Sequence, residues 1–204
     1  MIPIYELVID KETDGVDLVS FVGSPAMKTN WIAFSEGKKQ MFNVISDEKR
    51  IVTGAILLAD FPVVRVDEQG NPYYVILRKD TIEKTAQKFF REGRHVGSNE
   101  NHNSESYIPD VYMFESYLVD EKRGMMPPPF LAEVAKDGSW IGSYKIDSDE
   151  VWDKVKMGEF NGFSIEGFYG MKPVEFAEAN KTSEAEILHS LKNIEKALYK
   201  TVHP

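Results

Sequence analysis

Two short stretches of this 204-residue chain carry the residue types that acyl transfer needs. Asn99-Glu100-Asn101-His102-Asn103 sets a histidine among polar neighbours, and Gly162-Phe163-Ser164-Ile165-Glu166-Gly167 sets a serine between glycines. A serine hydroxyl is a weak nucleophile at neutral pH unless a base takes its proton, and imidazole is the side chain best matched to that task. The pair suggests Ser164 as nucleophile and His102 as base. They lie 62 residues apart, so tertiary structure must unite them.

Each residue also has a plain structural reading. A strand serine is ordinarily satisfied by its sheet, and Asn99, Asn101 and Asn103 are ordinary turn formers around a solvated loop histidine. Glycine near Ser164 marks a strand that another backbone approaches closely, which suits a substrate groove. Glycine is missing two places after the serine, so this is not the nucleophile elbow of an α/β hydrolase. Of the other histidines, His95 follows Arg94 at a helix end, His189 falls on a predicted C-terminal helix and His203 lies in the tail. A third member would orient the imidazole and stabilise its cation. Glu115, which interrupts the apolar run Val111-Tyr112-Met113-Phe114, is the first choice; its plain reading is an outward-facing strand residue. Glu166 shares a strand face with Ser164 by the two-residue period, as a groove residue or the alternative third member.

Composition narrows the chemistry. With no cysteine there is no thiol nucleophile, disulfide or thiolate zinc site, and no HExxH motif or closely paired histidines offer another metal centre. Asp147-Ser148-Asp149-Glu150 reads as a helix start, not a calcium loop. Walker and dinucleotide glycine motifs are absent, so neither metal nor cofactor is expected. A net charge of −9 without a basic stripe argues against direct nucleic-acid binding. The N-terminus resembles no signal sequence and no apolar run is long enough to span a bilayer, so no membrane association is expected.

The elements that must position these residues read mostly as strands. Seven runs rich in β-branched and aromatic residues cover Ile4 to Ile9, Leu18 to Val22, Ile51 to Leu58, Tyr73 to Leu77, Val111 to Val119, Ser139 to Ile146 and Gly162 to Tyr169. Asp67-Glu68-Gln69-Gly70-Asn71 and Lys136-Asp137-Gly138 supply turns between them. Helical spacing appears over Asp80 to Glu92, Asp149 to Met157 and Thr182 to Lys200, with Asp80, Ser148 or Asp149, and Ser183 as candidate caps. The expected fold is α+β, a compact barrel of about seven strands surrounded by helices. Residues 1–172 form that domain, and 173–204 form a linker and an amphipathic helix. Ile187, Leu191, Ile194, Leu198 and Val202 give this helix an apolar stripe that its own barrel, a partner or a second copy must cover.

At these residues the chain resembles the phage prohead serine proteases of the XkdF type, distant relatives of other prohead proteases and of herpesvirus assemblins. The resemblance spans roughly residues 1 to 170. It rests on Val19-Ser20-Phe21-Val22-Gly23-Ser24-Pro25-Ala26 with Asn30-Trp31-Ile32, on Asn101-His102-Asn103, on Glu115-Ser116-Tyr117, and on Gly158-Glu159 leading into the Ser164 block. It implies an assemblin-like barrel with Ser164 and His102 as nucleophile and base. It also implies an endopeptidase that cuts scaffold, head-protein extensions and itself inside the procapsid, in the host cytoplasm. Scaffold and major capsid protein would be its partners, with a homodimer as one use of the C-terminal helix. Assemblins place a second histidine after the serine, and this chain offers no strand histidine there. The rival expectations are an internal head or scaffold-associated protein without useful catalysis, and a generic esterase.

Overall fold

A computed structural model describes residues 2–23, 42–46 and 49–174. The strands are β1 (Ile4–Val8), β2 (Gly15–Val22), β3 (Phe42–Ser46), β4 (Ile51–Leu57), β5 (Val63–Val66), β6 (Pro72–Leu77), β7 (Val96–Glu100), β8 (Asn103–Leu118), β9 (Trp140–Ile146), β10 (Gly162–Phe168) and β11 (Gly170–Pro173). Two α-helices join them, α1 (Lys79–Arg91) and α2 (Asp149–Lys156).

All seven predicted strands are present, and the described residues are mostly β with two α-helices. The architecture differs from one barrel of about seven strands. The strands divide into a four-stranded sheet, ordered β11-β1-β6-β5, and a seven-stranded sheet, ordered β10-β2-β7-β8-β9-β4-β3. The larger sheet curls as a half-barrel, so that β10 at one end touches β4 near the other. Strand twist produces such curling, and apolar side chains fill its concave side.

That filling is aromatic. Phe21 meets Tyr144, Phe160 and Phe163 edge-on at centroid distances of 5.4, 6.2 and 5.2 Å. Helix α1 contributes Ile82 and Phe89, the latter edge-on to Trp140 at 5.3 Å, while α2 adds Val151, Trp152 and Val155. Burial of one such side chain is worth about 1.5–3 kcal/mol, enough to fix both helices on the sheet.

Local signals are read with mixed success. The Asp67 turn closes the β5–β6 hairpin: Gly70 N–H donates to Asp67 O at 3.0 Å, and Asp67 Oδ1 accepts from Asn71 N–H at 2.7 Å. Ser148 caps α2 by accepting from Val151 N–H at 3.4 Å. Asp80 does not cap α1. Arg78 holds the cap position but its side chain does not cap the helix, bonding Asp60 instead, and Asp80 lies inside the first turn, where a carboxylate complements the helix dipole. Strand β11 runs to Pro173, so the smaller sheet takes in the first residue of the predicted linker. The predicted helix over Thr182 to Lys200, and Ser24-Pro25-Ala26 and Asn30-Trp31-Ile32 of the resemblance, lie outside the described residues.

Candidate active site

Strands β10, β2 and β7 lie side by side at one end of the larger sheet. Val19, Phe21 and Phe163 enter the core from this corner. Alternation sends their neighbours to the opposite face, where the register places Ser20 directly opposite Ser164, Leu18 opposite Glu166, and Ser20 level with Asn99. One polar patch therefore collects residues from three strands.

The histidine reaches this patch from a tight turn. Glu100 pairs with Asn103, leaving Asn101 and His102 as a two-residue loop between β7 and β8. Their φ angles of 49° and 62° are both left-handed, the signature of a type I′ hairpin, and asparagine and histidine enter that region more readily than most residues. Several bonds hold the turn. Asn101 N–H donates to Phe21 O at 2.9 Å, Gly23 N–H donates to Asn101 Oδ1 at 3.2 Å, and Lys154 Nζ pairs with both Glu100 oxygens at 2.8 and 2.7 Å.

His102 Nδ1 lies 3.2 Å from Ser20 Oγ and 3.3 Å from Glu166 Oε1. The same Glu166 oxygen accepts from Ser20 Oγ and from Asn99 Nδ2, each at 2.6 Å. Burial raises the Glu166 pKa, but hydrogen bonds from Ser20, Asn99 and His102 more than offset it and hold the carboxyl below its ordinary range. An ionised carboxylate can only accept, so a neutral ring that bonds it carries its proton on Nδ1 and its lone pair on Nε2. That is the tautomer a general base needs.

Ser20 resembles a nucleophile because it touches the imidazole, yet the geometry argues otherwise. It is fully buried, it meets the ring at Nδ1, the nitrogen that also faces Glu166, and its own proton goes to Glu166. Ser164 is half-buried and makes no side-chain hydrogen bond to another described residue. Side chains directly opposed across antiparallel strands have Cβ atoms about 4.5–5.5 Å apart, which puts Ser164 one side chain from the residue that contacts His102. Ser164 also lines an apolar cavity of about 50 Å³ with Leu7, Ile56, Phe61, Val63 and Ile165.

Of the two predicted carboxylates, the structure brings Glu166 to His102. Glu115 is exposed and pairs with Ser143, twelve residues along β8 from Asn103, roughly 40 Å at the usual rise of a strand. A bulge follows Glu166, between it and Gly167, and re-aims the strand there. Gly167 is required at this bulge because a Cβ would sit 1.9 Å from Gly15 O. Sequence reading misses Ser20 as a contact of the site and takes Asn99 for a turn former. The available signal is a polar residue inside an otherwise apolar strand, Val19-Ser20-Phe21, within the resemblance block. His95 stacks on Phe90 at 5.4 Å, while His189 and His203 lie outside the described residues.

The fold and its site thus define a mostly β protein with a serine, a histidine and a carboxylate gathered on one sheet corner. The chain belongs to the family described as "Putative phage serine protease XkdF", whose model matches residues 38–172. That span holds Asn99, His102, Glu115, Ser164 and Glu166, and Ser20 precedes it. The chain is 29% identical over 153 residues to the uncharacterized protein YqbD of Bacillus subtilis (strain 168), covering 72% of this chain and 41% of that protein. It is 26% identical over 180 residues to the phage-like element PBSX protein XkdF of the same organism, covering 79% and 56%. The chain spans about half the length of these curated relatives. No solved structure matches it significantly. Among the described residues, no helix is long and apolar enough to cross a membrane.

Proposed function

We propose that this chain is a serine endopeptidase of phage capsid assembly, with Ser164 as nucleophile, His102 as general base and Glu166 as the orienting carboxylate. The observation that carries the reading is the contact between His102 Nδ1 and Glu166 Oε1, on a patch where Ser164 stands across from Ser20. Ser164 Oγ attacks the scissile carbonyl carbon while its proton passes to His102 Nε2. The tetrahedral intermediate collapses, the C–N bond breaks, and the imidazolium returns that proton to the leaving amine. Water, deprotonated by the same ring, then hydrolyses the acyl-enzyme.

The substrates in this reading are scaffold, the extensions of head proteins and the enzyme itself, cut within the procapsid in the host cytoplasm. Support comes from the family and from the phage-like element to which one relative belongs. The distant kinship with assemblins belongs to the same proposal. The test is fluorophosphonate labelling of the full chain, read by intact mass and peptide mapping. One adduct on Ser164, abolished by Ser164→Ala and by His102→Ala, supports the peptidase. No adduct, even with scaffold and capsid protein added, favours an internal head protein without catalysis. An adduct accompanied by turnover of short esters but of no scaffold or capsid peptide favours a generic esterase.

A further inference from the structure

We infer that Ser20 and Asn99 form a positioning clamp that holds Glu166 against His102, so that the reactivity of Ser164 depends on two buried residues that never touch the substrate. The inference rests on the peptidase reading. Three donors from three elements converge on a single oxygen: Ser20 Oγ from β2 and Asn99 Nδ2 from β7, both at 2.6 Å, and His102 Nδ1 from the turn at 3.3 Å. Ser20 is 0% and Asn99 1% exposed, whereas the side chains of Glu166 and His102 are 32% and 43% exposed. A glutamate on the end strand of a sheet, about a third open to water, would otherwise exchange rotamers freely.

Asn99 adds an independent sign. Its Oδ1 is buried without a hydrogen-bond partner among the described residues, although a buried acceptor is ordinarily satisfied. Turning the amide over would set Oδ1 against the carboxylate, so the unpaired oxygen is the consequence of keeping Nδ2 on Glu166. Fixing Glu166 Oε1 fixes which ring nitrogen carries the proton, and the lone pair then stays on Nε2. Ser20 and Asn99 are thus positioning residues, and their effect passes through the imidazole tautomer.

The experiment follows the His102 ring by nitrogen-15 NMR in the full-length chain, beside the rate of fluorophosphonate labelling at Ser164. Wild type is compared with Ser20→Ala, Asn99→Ala and the hydroxyl-retaining Ser20→Thr. The expected result is an Nδ1-protonated ring in wild type at neutral pH. Each alanine variant shows mixed tautomers and labelling slower by about tenfold, the effect of one charge-assisted hydrogen bond, and Ser20→Thr recovers at least part of the rate. An Nε2-protonated ring in wild type overturns the clamp, as do folded alanine variants with wild-type tautomer and rate. If Ser20→Ala fails to fold, Asn99→Ala and the wild-type ring decide. Absence of wild-type labelling counts against the peptidase reading, while the tautomer still judges the clamp.

Discussion

The seven-stranded sheet contains two pairs of directly opposed hydroxyl residues, and they behave differently. Thr53 on β4 faces Ser143 on β9, both are almost fully buried, and their oxygens bond each other at 2.8 Å. Ser20 on β2 faces Ser164 on β10 in the same kind of register, but Ser20 turns to Glu166 and His102, and Ser164 is left unbonded among the described residues. A hydroxyl pair that closes on itself satisfies the sheet and has nothing left to offer. A pair whose inner member is drawn away by a carboxylate leaves its outer member available. The useful distinction is therefore where each proton is committed, since buried hydroxyls occur at both places.

The sharpest test of this contrast is Glu166→Gln, which keeps the side chain's size and removes the charge. Labelling of Ser164 should fall by about a thousandfold, because an amide offers Nδ1 either tautomeric role. The same variant has a signature in acid. The folded carboxyl sits below the ordinary range, so its contribution to stability is complete above the unfolded value and is lost as pH falls through the folded one. Denaturant melts from neutral pH into that range should show wild type losing more stability than the glutamine variant.

Gly167→Ala asks whether the bulge aims Glu166. A methyl group 1.9 Å from Gly15 O forces β10 away from β2, and a destabilisation of about 3 kcal/mol is expected in chemical denaturation, with slower labelling of whatever remains folded. Thr53→Val probes the closed pair. Stranding the Ser143 hydroxyl should lower stability by about 1–2 kcal/mol, and Thr53→Val with Ser143→Ala should recover most of it. Labelling of Ser164 should be unchanged in both, and a loss there would erase the distinction between the pairs. The smallest effect is expected from Glu115→Gln: an exposed strand residue remote from the turn should leave stability within about 0.5 kcal/mol and labelling unaltered.

The sequence made the apolar strands legible because alternation and β-branching report burial directly. It hid β7, since Val96-Gly97-Ser98-Asn99-Glu100 has no apolar face, and pairing with β2 and β8 is what makes it a strand. Asn99 was hidden with it. The turn around His102 was visible from its asparagines, although nothing local says that the imidazole folds back over β2. Glu115 misled for a definable reason. Strand β8 runs for 16 residues from the turn, so an acid that soon follows the histidine in sequence is carried along the strand and away from it. Glu166 was readable as a neighbour of Ser164 because no bulge separates them.

The pairing of β10 with β2 also sets an order in time. During synthesis the β7–β8 hairpin, with its histidine, leaves the ribosome well before Ser164 and Glu166, which arrive together on one of the last described strands. In the proposed reading a nascent chain carries a base with neither nucleophile nor orienting acid, and the three residues meet when that late strand docks beside one of the earliest. On that reading, the docking of β10 on β2 and the assembly of the proposed site are a single event.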